Sequence, residues 1–196
     1  MLSGPEILKQ TKPSLWGKTK YLFTRNPIHL RPNIIIEPFD PKFCGSNSYD
    51  IHLGPALRFY HKDVELPPKD ENATYEVVMT PEDGYLLWPG EFCLGTTVEY
   101  TETYNLVPQL SGRSSTARMG LAIHVTAGFG DDGFCGNWTL EIVNLSNNLV
   151  RLLPGMRLGQ LYYLPIKGKS KEYAGRYKGQ REATACRLYK DNQNGA

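Results

Sequence analysis

Two guanidinium groups bracket two serine hydroxyls in Gly112-Arg113-Ser114-Ser115-Thr116-Ala117-Arg118. Arginine supplies planar donor forks and serine supplies short donors, a combination suited to phosphate oxygens. The same residues would also serve as a solvated polar turn whose serines cap a short helix. Beyond them, Met119 to Phe134 runs from a strand-like stretch into a glycine-rich loop that carries Asp131 and Asp132. An acidic side chain there could meet a ligand, although Asp before Gly is also ordinary turn chemistry. Glu141 interrupts the apolar run Trp138-Thr139-Leu140-Glu141-Ile142-Val143, and its parity matches Thr139 and Val143. Facing a cavity, it could act as a general base; facing water, it would be a surface glutamate on a polar strand face. His124 is read as a packing residue, the commoner role of a single imidazole on a strand.

The elements that must position these groups are mostly strands. Nineteen glycines and fourteen prolines separate short runs rich in Val, Ile, Leu, Tyr and Thr, the pattern of many strands joined by turns. Strands are expected over Ile34–Ile36, Ser48–Leu53, Tyr75–Met79, Phe92–Tyr100, Ala122–Val125 and Asn137–Val143. Pro89-Gly90 and Pro154-Gly155 read as tight turns that each enter a strand. Only the first residues look helical: Ser3 as N-cap, Pro5 in the first turn, Glu6 completing the cap, and an end before Lys12-Pro13. The charged stretch from Lys62 to Asn72 reads as an exposed loop, and the polar tail from Lys167 to Ala196 as a segment that begins flexible and orders on a ligand. With no internal repeat, the choice of architecture is barrel, sandwich or jelly roll.

Composition narrows the function classes. A chain of 196 residues fits one domain with a sizeable core. Lys and Arg number 22 against 20 Asp and Glu, and without a basic block the chain is a poor partner for polymeric nucleic acid. A phosphorylated metabolite needs only two or three well-placed cations. No apolar run approaches the roughly 18 residues that would span a bilayer. The opening Met1-Leu2-Ser3-Gly4-Pro5-Glu6 lacks the basic flank and apolar stretch of a secretory signal, so a cytoplasmic protein is expected. Cys44, Cys93, Cys135 and Cys186 lie about 40 to 50 residues apart without a CxxC pair, which favours buried free thiols over a zinc site.

Taken in order and spacing, SGRSSTARMGLAIHVTAGFGDDGFCGNWTLEIVN resembles the central signature of the dCTP deaminases, a branch of the trimeric dUTPase-like enzymes. Supporting matches extend to Met1-Leu2-Ser3, Ile36 to Pro41, Ser48 to Gly54, Pro154-Gly155-Met156 and Tyr177-Lys178-Gly179-Gln180, whereas residues 16–33 and 62–72 are less typical. The resemblance implies a mainly β, distorted barrel or jelly roll with a short N-terminal helix, one domain over 1–196, and a lid formed from 167–196. It also implies a homotrimer with shared sites.

The implied activity is zinc-independent hydrolytic deamination of dCTP to dUTP and ammonia, supplying dUMP for thymidylate synthesis, in agreement with the missing HxE and PCxxC zinc-deaminase pattern. By position, Glu141 corresponds to the family's water-activating glutamate. Ser114 and the main chain near Ala127 would orient that water, and Arg118 would position the base. Arg113 and Ser115, with Thr116 and Ala117 between the arginines, would hold phosphate or structure the loop. Asp131 would contact deoxyribose, and Thr139 and Leu140 would offer strand groups to the base. Tyr173, Arg176 and Gln180 would close over the triphosphate, with Arg176 in place of the more usual lysine. Magnesium is expected on the triphosphate with no protein cage, and dCTP, dUTP and dTTP are the expected ligands.

The product is the open choice. Ala127-Gly128-Phe129 stands where strictly monofunctional enzymes commonly have Ala-His-Arg, and Gln160 in Gly159-Gln160-Leu161 matches the bifunctional type that carries dUTP on to dUMP and diphosphate. Gly130-Asp131-Asp132-Gly133 departs from the usual Ile-Asp-Pro-Gly, and deamination to dUTP is kept as the first expectation. A dUTP diphosphatase and a nucleotide sensor on the same scaffold are the other readings; Glu141 argues against both.

Overall fold

A computed structural model describes residues 1–69 and 73–190. Its strands are β1 (Ile34–Glu37), β2 (Tyr49–Tyr60), β3 (Thr74–Val78), β4 (Tyr85–Leu87), β5 (Phe92–Thr103), β6 (Leu106–Gly112), β7 (Leu121–Ala122), β8 (Cys135–Asn144), β9 (Val150–Leu152) and β10 (Arg157–Pro165). An eight-stranded sheet runs β6-β10-β2-β5-β8-β7, with β1 paired to β5 and β3 paired to β2, while β4 and β9 form a separate pair. Every strand pairing is antiparallel. The sheet curls into a barrel-like, mainly β body, as the turn-punctuated sequence predicts.

Period-two alternation sets the core. On β2, Tyr49, Ile51 and Leu53 are buried while Asp50 and His52 point to the other face. On β8, Leu140 and Ile142 are fully buried between Thr139, Glu141 and Val143. Each such Leu or Ile contributes about 1.5–3 kcal/mol by leaving water.

The N-terminal helix α1 (Gly4–Gln10) starts as expected, with Ser3 as N-cap, its hydroxyl accepting from the Glu6 amide, and the cap at Thr11. It is tied to the barrel by the Leu2 amide, which donates to the Tyr163 carbonyl at 2.8 Å, and by the fully buried Ile7.

Three expectations need correction. A second helix, α2 (Leu15–Thr24), occupies part of the atypical segment. Its glycine, threonines and aromatics lower intrinsic helix propensity, which conceals it in sequence. Caps compensate: the Ser14 hydroxyl accepts from the Gly17 amide at 2.9 Å, and Arg25 closes the helix with φ 53°. The strand expected over Ala122–Val125 is confined to Leu121–Ala122, because the chain then leaves the ladder and the Val125 amide donates to the Glu141 side chain. β2 is twice the expected length, and β4, β6 and β9, short or proline-containing, are additional to the expected strands. Over its described residues the tail from Lys167 packs on the protein itself, with a parallel bridge between Gly136 and Gln180.

Residues 62–69 form turns without strand or helix, in keeping with the expected loop; its remaining residues 70–72, like residues 191–196 of the tail, lie outside the described residues. All four cysteines are free thiols. No helix among the described residues is long and apolar enough to cross a membrane.

Candidate functional site

The outward face of β8 forms one wall of a cavity of about 560 Å³. Thr139 and Glu141 project from that wall, and β5 supplies Leu94, whose backbone position lies directly opposite Glu141. The glycine-rich loop contributes Ala127 and Asp131, and the tail contributes Tyr173 and Gln180. Glu141 Oε2 accepts from the Val125 amide at 2.7 Å, which fixes the carboxylate and leaves Oε1 without a protein hydrogen bond among the described residues. A half-buried carboxylate held by one oxygen can use the other as a proton acceptor.

The unusual Gly130-Asp131-Asp132-Gly133 turn has a structural basis. A Cβ on Gly130 would lie 2.6 Å from the Trp138 ring and 2.8 Å from Pro108, so a larger residue would force the loop off β8. Asp132 is buried and points away from the cavity; its carboxylate accepts from the Asn105 amide at 2.7 Å and from the Ser170 hydroxyl. It therefore ties the loop to the start of the tail. Asp131 remains exposed in the cavity, with no hydrogen bond to its carboxylate among the described residues.

The arginine-serine segment lies elsewhere. Ser114–Arg118 forms the short helix α3, as the capped-turn reading of the sequence allows, although no side chain caps it. Arg113 Nε sits 3.1 Å from Asp50 Oδ1, and Arg157 Nη1 lies 3.5 Å from Asp50 Oδ2. Gln160 donates from Nε2 to the Gly112 carbonyl at 3.2 Å and accepts from the Ser48 hydroxyl at 2.8 Å. Thus Asp50 and Gln160 brace the entry to α3. Ser114, Ser115, Ala117 and Arg118 are exposed, and no hydrogen bond or ion pair engages the Ser114, Ser115 or Arg118 side chains among the described residues.

Three expected contacts are redirected. Thr116 is buried, and its hydroxyl donates to the Leu158 carbonyl at 2.8 Å, so it anchors α3 to β10. Leu140 is fully buried on the core side of β8, because strand parity turns it away from its neighbours Thr139 and Glu141. Arg176 braces the tail: its Nη1 donates to the Arg187 carbonyl at 3.0 Å, and Arg187 Nη1 donates back to the Arg176 carbonyl at 2.7 Å. His124 stands beside Gly128, outside the cavity lining.

The chain matches the dCTP deaminase-like family model over residues 24–165. It belongs to that family. It is 43% identical over 192 residues to a protein of Clostridium beijerinckii named dCTP deaminase, dUMP-forming, covering 97% of this chain and 98% of the relative. A protein of the same name from Cytophaga hutchinsonii is 44% identical over 163 residues, covering 83% of this chain and 92% of the relative. The fold also matches the crystal structure of the 2′-deoxycytidine 5′-triphosphate deaminase from Agrobacterium tumefaciens with a TM-score of 0.55 at 18% identity, over 76% of this chain and 46% of that one. The matched part of this chain thus covers less than half of that protein.

In this dCTP deaminase-like chain, several cavity residues escape sequence reasoning. Phe92 and Leu94 could be reached only through the β5–β8 register. Tyr60 closes β2, and Thr184 and Cys186 come from the tail. Tyr60 is distant in sequence from both neighbours that give it meaning, and no local motif marks it.

Proposed function

We propose that the protein deaminates dCTP and carries the product through to dUMP and diphosphate. The observation that carries this reading is the convergence of Glu141, with one free carboxylate oxygen, and Asp131 in a single cavity beside Thr139. The dUMP-forming names of the similar Clostridium and Cytophaga proteins favour the two-step outcome over dUTP as the end product. The Ala127-Gly128-Phe129 and Gln160 features agree with it.

In the first step, water loses a proton to Glu141 as its oxygen bonds to C4 of cytosine. Glu141 delivers that proton to N3. It then takes the proton of the new C4 hydroxyl and passes it to the exocyclic nitrogen as the C4–N bond breaks, so that ammonia departs and the uracil carbonyl remains beside a protonated N3. In the second, a further water adds at the α-phosphoryl group and the bond to the bridging oxygen of diphosphate breaks. Asp131 receives the deoxyribose hydroxyl, and a sugar packed tightly there would leave no space for a 2′-hydroxyl.

Among the described residues, no three His, Cys, Asp or Glu side chains converge to hold a metal. A magnesium ion carried by the phosphate oxygens and water would neutralise the leaving diphosphate. The exposed Ser114, Ser115 and Arg118 stand outside the Glu141 cavity, so we assign them to the site of a neighbouring subunit in a homotrimer, where Ser114 orients the water and Arg118 the base. Such an enzyme would act in cytoplasmic nucleotide metabolism, with dTTP as a further ligand.

Incubation with dCTP and magnesium, resolving ammonia, dUTP, dUMP and diphosphate, tests the reading. Stoichiometric ammonia, dUMP and diphosphate are expected. Accumulation of dUTP would limit the enzyme to deamination, and absence of ammonia would reject the proposal.

A further inference from the structure

The tail reaches the cavity through backbone amides, and two side chains of the barrel receive them. The Cys186 amide donates to the Tyr60 hydroxyl at 2.9 Å, and the Thr184 amide donates to Thr139 Oγ1 at 3.1 Å. Gln180 docks alongside: its amide group donates to the Asn137 carbonyl at 2.8 Å, and its own carbonyl accepts from the Asn137 amide at 2.9 Å. The path is tight, since a Cβ on Gly136 would lie 2.8 Å from the Gln180 carbonyl. Tyr60, Thr184 and Cys186 all line the cavity that contains Glu141.

Tyr60 differs from the other anchors. Gln180 and Thr184 dock on β8, whereas Tyr60 lies at the C-terminal end of β2, on the other side of β5. It is therefore the point at which the tail, bonded to β8 through Thr184, reaches β2. Burial raises the Tyr60 phenol above its ordinary value, with the Cys186 amide opposing and the Glu141 charge adding to the shift. The phenol remains protonated and, while accepting from Cys186, keeps its own proton to donate into the cavity.

We infer that Tyr60 is a positioning residue that latches the C-terminal segment over the nucleotide through the Cys186 amide, so that closure over Glu141 is set by β2. The inference rests on the proposed nucleotide site. It assigns Tyr60 to nucleotide retention, with the proton transfers left to Glu141. Loss of one such hydrogen bond is worth about 0.5–1.5 kcal/mol, equivalent to roughly twofold to tenfold in an equilibrium.

The test uses the full chain with Tyr60→Phe, which removes the hydroxyl and keeps the ring, and with Cys186→Pro, which removes the donor without touching β2. Hydrogen exchange at the Cys186 amide should accelerate by about tenfold in Tyr60→Phe, with protection on β8 unchanged. In both variants the KM for dCTP should rise by about threefold to tenfold while kcat for ammonia release stays within about twofold. Unchanged Cys186 exchange in Tyr60→Phe, or a fall in kcat with KM unchanged in both variants, would overturn the latch. If the parent protein released no ammonia, the proposed activity would fail, while the exchange measurement would still report on the latch.

Discussion

The Glu141 cavity and the Arg113–Arg118 segment carry similar polar chemistry but differ in how they are completed. In the cavity, Glu141 is fixed by the Val125 amide and Thr139 by the Thr184 amide, and the tail supplies part of the lining. In the segment, only the base is fixed: Arg113 by Asp50, Thr116 by Leu158, and the preceding carbonyl by Gln160. Ser114, Ser115 and Arg118 project from this braced platform into solvent. One region is assembled within a single chain. The other stands open to solvent in this chain, and the proposed trimer would supply its occupant.

The largest expected effect attacks the cavity alone. Glu141→Gln keeps size and loses basicity, so ammonia release should fall by about 10²–10⁴-fold while dCTP binding, measured by equilibrium titration, stays within a few-fold. Retained turnover would remove Glu141 from proton transfer. Arg118→Ala should lower kcat/KM by about 100-fold without changing the melting temperature, because the exposed side chain makes no hydrogen bond or ion pair among the described residues. The comparison sharpens when the two inactive variants are co-refolded: mixed trimers should recover about a quarter of parental activity if each site takes Glu141 and Arg118 from different subunits. No recovery would place both residues in one chain's site.

Smaller effects probe the supports. Leu140→Ala should cost about 2–5 kcal/mol of stability in denaturant melts, since the side chain is fully buried. Asp50→Asn should release Arg113 and raise the KM for dCTP several-fold, but cost no more than about 1 kcal/mol in the same melts, as both arginines are partly exposed and screened. The smallest effect concerns Cys93, whose thiol is pushed up to about 12 by burial from an ordinary 9.0. Its contribution to stability is complete below pH 9 and is lost as the pH rises through 12, so Cys93→Ser should flatten the alkaline end of a stability profile and leave neutral-pH activity intact.

Much of the site was legible because its chemistry is local. The spacing from Arg113 to Glu141 and the parity of Thr139 with Glu141 are properties of one contiguous stretch, and alternation on a strand places them on one face whatever the surroundings. The same parity should have sent Leu140 to the core, and the structure does so. Thr116 could not be separated from its serine neighbours in sequence; only the approach of Leu158 from β10 turns its hydroxyl inward. Asp131 and Asp132 were likewise indistinguishable, and it took Asn105 and Ser170, from two other segments, to make one structural and leave the other in the cavity.

By itself, the sequence determined a mainly β chain, a helix capped by Ser3, free thiols, and membership of the dCTP deaminase-like family, because alternation, capping and motif order are short-range properties. Tertiary structure decided which polar groups are spent on holding the fold and which face open space. It redirected Thr116, Leu140 and Arg176, set Leu94 against Glu141, and brought Tyr60 to the tail across the barrel. The physical reason is that strand register and tail docking join residues far apart in the chain, through backbone groups whose partners no local pattern names.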